Sequence, residues 1–204
     1  MNFLAHLYLS GTDVEIRLGN FIGDYVKGKN LDAYPEKVQK GITLHRAIDS
    51  FTDTHNSTRK CIDILRPGYE KYAGVVVDVL FDHVLANEWS KYSNLELKTF
   101  TRSFYFQMLR KYGLLPDRVK KFLPFMIQSN RLYTYRNVEG LKRALEIMSS
   151  VTSLPDKSDY AIKTLEDNYK QISFHFNQLF PDLITFVSTE HGIIIKSGSP
   201  TLNE

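Results

Sequence analysis

The sequence predicts an all-α protein, a compact single-domain helical bundle, on three observations. Apolar residues recur at helical spacing along most of the chain, and no run alternates with the period of two of a half-buried strand. Helix start and stop signals, among them Pro35, Gly28, Pro116 and Gly113, punctuate these stretches. A chain of 204 residues, 43% apolar and 24% charged, can bury one real core and is far from a disordered composition.

The elements follow in order. His6 lies in the opening turns among apolar residues, the usual setting of a core histidine. Thr12 or Asp13 caps a helix that runs to about Lys27, where Gly28 stops it. Pro35 opens the next as its first residue, carrying Val38, Ile42, Ile48 and Phe51 toward His55. Asn56-Ser57 caps a short helix ending at Arg66-Pro67-Gly68, and a long apolar helix spans about Tyr69 to Tyr92. An aromatic-rich helix follows Ser93-Asn94 and ends near Gly113. Pro116-Asp117 opens another, and Asn137 to about Val151 forms one more. The last runs from about Lys157 to Phe180, where Pro181 breaks or kinks it. One domain is expected over 1–190, with 191–204 as a loosely ordered tail.

Composition narrows the function classes. A single cysteine, Cys61, excludes an internal disulfide and fits a reducing compartment. The opening eleven residues are apolar without a basic n-region, and no uncharged stretch approaches the ~20 residues needed to span a bilayer. A cytoplasmic protein is expected. The net charge of +3 hides an asymmetry: Lys98 to Ser150 holds 11 Lys/Arg against 3 Asp/Glu, so the rest is acidic overall. Carboxylates in front suit a cation, and a basic middle suits an anionic partner. Solvated lysines on long helices would give the same charge pattern.

The chemistry-bearing residues come in spaced sets. His45, Asp49 and Asp53 stand at i, i+4 and i+8, within an arc of roughly 80° on one helical face. Asn20 and Asp24 are also four apart, beside Gly19 and Gly23, which permit close approach of a backbone or ligand. Asp78 and Asp82 sit four apart in the apolar run Val75 to Leu85, followed directly by His83. Buried carboxylates need partners, and few Arg or Lys residues lie close by in that segment. A divalent cation shared between helices would satisfy them, as would a buried Asp–Arg or Asp–His network holding helices in register. With His6 added, His6, Asp24, His45, Asp49, Asp78, Asp82 and His83 are the O/N ligand candidates. They suit Mn²⁺, Mg²⁺ or Fe²⁺ better than a thiolate-bound zinc. No Walker loop, CxxC pair, HExxH or serine elbow is present.

Five pieces of sequence carry a resemblance: the opening Met1-Asn2-Phe3-Leu4-Ala5-His6-Leu7; Gly19-Asn20 with Asp24; His45-Arg46 with Ile48-Asp49 and Asp53; Asp78-Val79 with Asp82-His83; and the Phe180-Pro181 step. In these the chain resembles the acyl carrier protein phosphodiesterases, non-standard members of the HD-type phosphohydrolases. The adjacent Asp82-His83 reverses the usual His-Asp order, so ligand assignments do not transfer mechanically. The resemblance implies an HD-domain-like bundle that hydrolyses the phosphodiester joining 4′-phosphopantetheine to a serine of holo-acyl carrier protein. It further implies a divalent ion, typically Mn²⁺. In that light Asp24, His45, Asp49, Asp78 and Asp82 are the expected ligands. His83 is a ligand or the acid for the leaving serine oxygen. His6, Asn20 and Arg46 contact phosphate or orient ligands, and Asp53 is the weakest member. Acyl carrier proteins are small and acidic, so cations between Arg102 and Arg143 would dock the partner. Two other readings stay open. One is a phosphohydrolase of a nucleotide or small phosphodiester. The other is a non-catalytic module using Arg131 to Arg136 on an acidic protein or RNA.

Overall fold

The computed structural model describes residues 1–28 and 31–195, and among them every regular element is helical. The α-helices are α1 (Phe3–Leu9), α2 (Val14–Ile22), α3 (Glu36–Thr54), α4 (Asn56–Tyr69), α5 (Ala73–Asn87), α6 (Leu97–Arg110), α7 (Asp117–Ser129), α8 (Arg131–Thr134), α9 (Val138–Val151) and α10 (Ser158–His191). The all-α expectation holds.

The apolar run of α5 makes it the axis of the fold. Val76, Val77, Val79, Leu80, Phe81, Val84 and Leu85 are all buried, and α1, α4, α9 and α10 pack around them. On α10 the rings of Phe176 and Phe180 stack at 4.9 Å, and Phe176 meets Phe81 of α5 at 5.7 Å. This aromatic contact joins the two halves of the chain.

In front of that core, α2 and α3 lie side by side and run the same way. Asp13 meets Lys37 at one end and Asp24 meets His45 at the other. Glycine allows the contact: a Cβ on Gly19 would lie 2.0 Å from the Val38 carbonyl oxygen, and one on Gly41 2.1 Å from that of Ile16. The two backbones therefore touch, and Asn20 is brought against His45.

Several boundaries differ from expectation for local reasons. Asp13 caps α2, accepting from the Glu15 and Ile16 amides at 2.9 and 3.3 Å. That helix stops at Ile22 rather than near Lys27, because Gly23–Tyr25 tightens into a 3₁₀ turn and Val26 is extended. Pro35 is the cap of α3, not its first residue. His55, one residue before the expected cap, accepts from the Ser57 amide to begin α4. Short 3₁₀ turns at Glu70–Tyr72 and Trp89–Lys91 trim α5 at both ends.

Pro181 does not end the last helix. It lies on the solvent face, where water can take the carbonyl its missing N–H leaves, while Leu179, Phe180 and Leu183 stay packed. The helix departs from ideal geometry at Asn168 instead (φ −123°, ψ 16°), whose side-chain amide donates to the Thr164 carbonyl. Beyond His191 the chain stays attached: the Ile193 amide donates to Val187 O and its side chain is buried. Residues 196–204 of the expected tail lie outside the described residues. Among the described residues no helix is long and apolar enough to cross a membrane.

Candidate active site

The site is assembled where α1 enters the core. A helix start leaves amides without intrahelical partners and carries partial positive charge. Asn2 makes no side-chain cap for α1. Asp82, from the middle of α5, supplies it: Oδ2 accepts from the Leu4 amide at 2.7 Å and Oδ1 from the Ala5 amide at 3.0 Å. Burial pushes the Asp82 carboxyl up to about 7, with the two amides and the Met1 ammonium opposing the rise. The Asp82 charge is thereby committed to holding α1 in place.

His6 projects from α1 toward α2 and α3. There Asn20, fully buried, donates its side-chain amide to His6 O and to Ser10 Oγ, both at 2.9 Å. The amide oxygen must then face the two imidazoles, with His6 Nδ1 at 2.8 Å and His45 Nδ1 at 3.3 Å. An acceptor shared in this way assigns an Nδ1–H to both rings and turns both Nε2 atoms to the same side.

Each Nε2 meets only oxygens. His6 Nε2 lies 3.0 Å from Asp49 Oδ1 and 3.0 Å from the Met1 carbonyl. His45 Nε2 lies 3.1 Å from Asp24 Oδ1 and 3.2 Å from Asp49 Oδ2. Such contacts need a proton or a cation between nitrogen and oxygen. Two protonated rings stacked 4.2 Å apart would repel each other. The protein divides the load. Burial and the neighbouring His45 push His6 down to about 4. Burial also opposes charge on His45, but hydrogen bonds to Asp24 and Asp49 outweigh it and raise His45 to about 9. Neutral His6 then aims a lone pair at two acceptors, a defect that a shared cation removes. The donor set, two imidazoles among carboxylates, fits a divalent ion.

Burial works against the charge on Asp49, yet the hydrogen bond from His45 and the nearby Met1 ammonium hold it well below the usual carboxylate range. The hydrogen bond to His45 likewise lowers Asp24. Burial raises Asp78, with the Met1 α-amino group, 3.1 Å from its Oδ1, pulling the other way. That amine is also 3.5 Å from Asp49 Oδ1. The cluster opens to solvent at Asp24, whose side chain is 66% exposed, and at Asp49, 36% exposed.

The structure thus brings His6, Asn20, Asp24, His45 and Asp49 together, with Asp78 joined through Met1. Among the described residues, His6, His45 and Asp49 offer ligand atoms all within 4.8 Å of one another. His83 projects elsewhere: its Nδ1 lies 2.7 Å from the Tyr135 carbonyl, beside the Asn87 amide. Arg46 is exposed and donates to Val26 O, bracing the chain just after Asp24. Asp53 is exposed and acts only from a distance, through its charge on Asp78. A cleft of about 460 Å³ beside Gly11, Arg17, Phe100 and Gln107 shares no residue with the cluster.

The sequence reading missed two contributors. Ser10 gave a faint signal, four residues after His6, where it shares the Asn20 amide. The Met1 amine gave none, whereas Gly23 was expected to permit a close approach and its partner is the His45 ring. A Cβ on Gly23 would lie 2.3 Å from His45 Cγ, so glycine here makes room for the ring.

Comparison with known proteins gives the family. The family described as acyl carrier protein phosphodiesterase matches residues 1–183. A protein named acyl carrier protein phosphodiesterase from Enterobacter sp. (strain 638) is 30% identical over 188 residues, 90% of this chain and 96% of the relative. One of the same name from Serratia proteamaculans (strain 568) is 29% identical over 185 residues, with the same coverage. No solved structure gives a significant match. With the match spanning nearly the whole sequence, the chain belongs to the acyl carrier protein phosphodiesterase family.

Proposed function

We propose that this chain hydrolyses the phosphodiester between 4′-phosphopantetheine and a serine of holo-acyl carrier protein, using a divalent cation held by His6, His45, Asp49 and Asp24. Family membership supplies the reaction class, phosphoric diester hydrolysis on a carrier protein. One observation carries the site: Asn20 locks both imidazoles with Nε2 toward Asp49. The O/N donor set suits Mn²⁺, with Mg²⁺ or Fe²⁺ as alternatives.

In the reaction a water oxygen bonds to phosphorus, the bond from phosphorus to the serine oxygen breaks, and that oxygen gains a proton. The products are apo-acyl carrier protein and free 4′-phosphopantetheine. When bound, a divalent cation supplies activation of the water and neutralises charge on the phosphoryl oxygens. The chain's own groups do the rest. Asn20 fixes the tautomers, and Asp82 fixes α1 and so the position of His6. Asp24, the most open carboxylate, faces the arriving diester.

A cytoplasmic location fits the single buried, free Cys61. The test is incubation with holo-acyl carrier protein, with Mn²⁺ or with a chelator, read by mass spectrometry. Loss of the prosthetic group with Mn²⁺ only is expected. A carrier left intact in both would overturn the proposal.

A further inference from the structure

The basic middle of the chain holds too many cations to share one surface, and the geometry selects among them. A serine phosphodiester places phosphorus only three bonds from the carrier's own backbone. The carrier surface must therefore reach the edge of the His–Asp cluster. The docking residues are those bordering Asp24, the open side of the site.

The element at that border is α7. Tyr25, next to Asp24 in the 3₁₀ turn, packs its ring 5.3 Å from Phe122 and 5.6 Å from the Arg118 guanidinium carbon. One turn beyond Lys121 on the same helix, Phe125 is 64% exposed. Asn130 ends α7 in the left-handed conformation (φ 44°), which lets α8 start at once with Arg131.

Charge usage separates these cations from their neighbours. Lys111, Lys120, Lys142 and Arg143 pair with Glu15, Asp117, Asp159 and Glu146. Among the described residues no carboxylate pairs with Arg118, Lys121 or Arg131. Arg102 and Arg110 are on α6, whose end sits beside the start of α2 through Lys111–Glu15, whereas Asp24 follows the opposite end of α2. We infer that the exposed face of α7 and the first turn of α8, carrying Arg118, Lys121, Phe125 and Arg131, is the docking surface for the acidic carrier protein. The inference rests on the proposed activity. Unpaired cations steer the partner, and Phe125 gives an aromatic anchor.

The experiment uses the full chain with Arg118→Glu and Lys121→Glu combined, assayed on holo-acyl carrier protein, with binding of the apo form measured by calorimetry. KM should rise roughly 10-fold or more with kcat within about 2-fold, and the salt dependence of KM should flatten. Arg118→Lys, which keeps the charge, should hold KM near wild type, as should Lys142→Glu on α9. If the double variant fails to fold by circular dichroism, Arg131→Gln alone carries the test, with the same rise expected. Unchanged KM in folded variants of an active enzyme would overturn the docking surface alone. A wild-type chain that neither binds nor cleaves the carrier, or binds RNA in its place, would overturn the surface and the proposed activity together.

Discussion

The front of the molecule, where α1, α2 and α3 meet, is held by charge; the back, where α5 meets α10, is held by packing. In front, two imidazoles, three carboxylates and the Met1 amine crowd within contact distance, and partners bend each pKa. Behind, the rings of Phe81, Phe176 and Phe180 pack at 4.9–5.7 Å in an apolar core. Stability lives mostly in the back, and reactivity in the front. Charges in the front therefore answer to a cation, whereas the rings behind answer only to volume.

The largest expected effect comes from the back. Phe176→Ala empties a fully buried site and should cost about 3–5 kcal/mol in chemical denaturation. At a temperature where it stays folded, kcat on the carrier should be near wild type; a matching loss of kcat would break the division between regions. Asp49→Asn comes next. Turnover should fall by at least roughly 100-fold, because both imidazoles lose the carboxylate they share. Near-normal release of phosphopantetheine by that variant, with an intact circular dichroism spectrum, would remove Asp49 from the site.

Asn20→Ala acts one step further out. Without the amide oxygen the two Nδ1 atoms lose their common acceptor, and Mn²⁺ affinity should drop roughly 10- to 100-fold in a calorimetric titration. Equal affinity would show that the tautomer lock does not matter. The smallest effect returns to the back. Burial works against the charge on Glu88, but bonds from Lys91, Ser173 and Asn177 outweigh it and lower its pKa. A carboxylate with a lowered folded pKa contributes stability above its unfolded value, and that contribution is lost as pH falls through the folded one. Wild type should thus exceed Glu88→Gln by about 1 kcal/mol at pH 7, a gap closing below about pH 4. A pH-independent gap would assign the effect to shape alone.

Local spacing made much of this legible. His45 and Asp49 share one face of α3 at i and i+4, and Asn20 faces them from α2, while Asp24 reaches them from the 3₁₀ turn that follows. The run around Asp82 announced burial. Its partner was not legible, because the Leu4 and Ala5 amides lie 78 and 77 residues away and leave no trace in side-chain identity. Adjacency in sequence also misled. Asp82 and His83 differ by about 100° around α5, so one turns to α1 while the other reaches Tyr135 O. Pro181 was overweighted, since its cost falls on an exposed carbonyl, and Asn168 was overlooked because its effect comes from one side-chain hydrogen bond.

Titration of Mn²⁺ into metal-free wild type and Asp49→Asn, followed by the paramagnetic resonance of free Mn²⁺, tests the shared cation most directly. The account predicts that wild type depletes the free signal at about one ion per site and that Asp49→Asn leaves it untouched. Equal depletion by both proteins would contradict it.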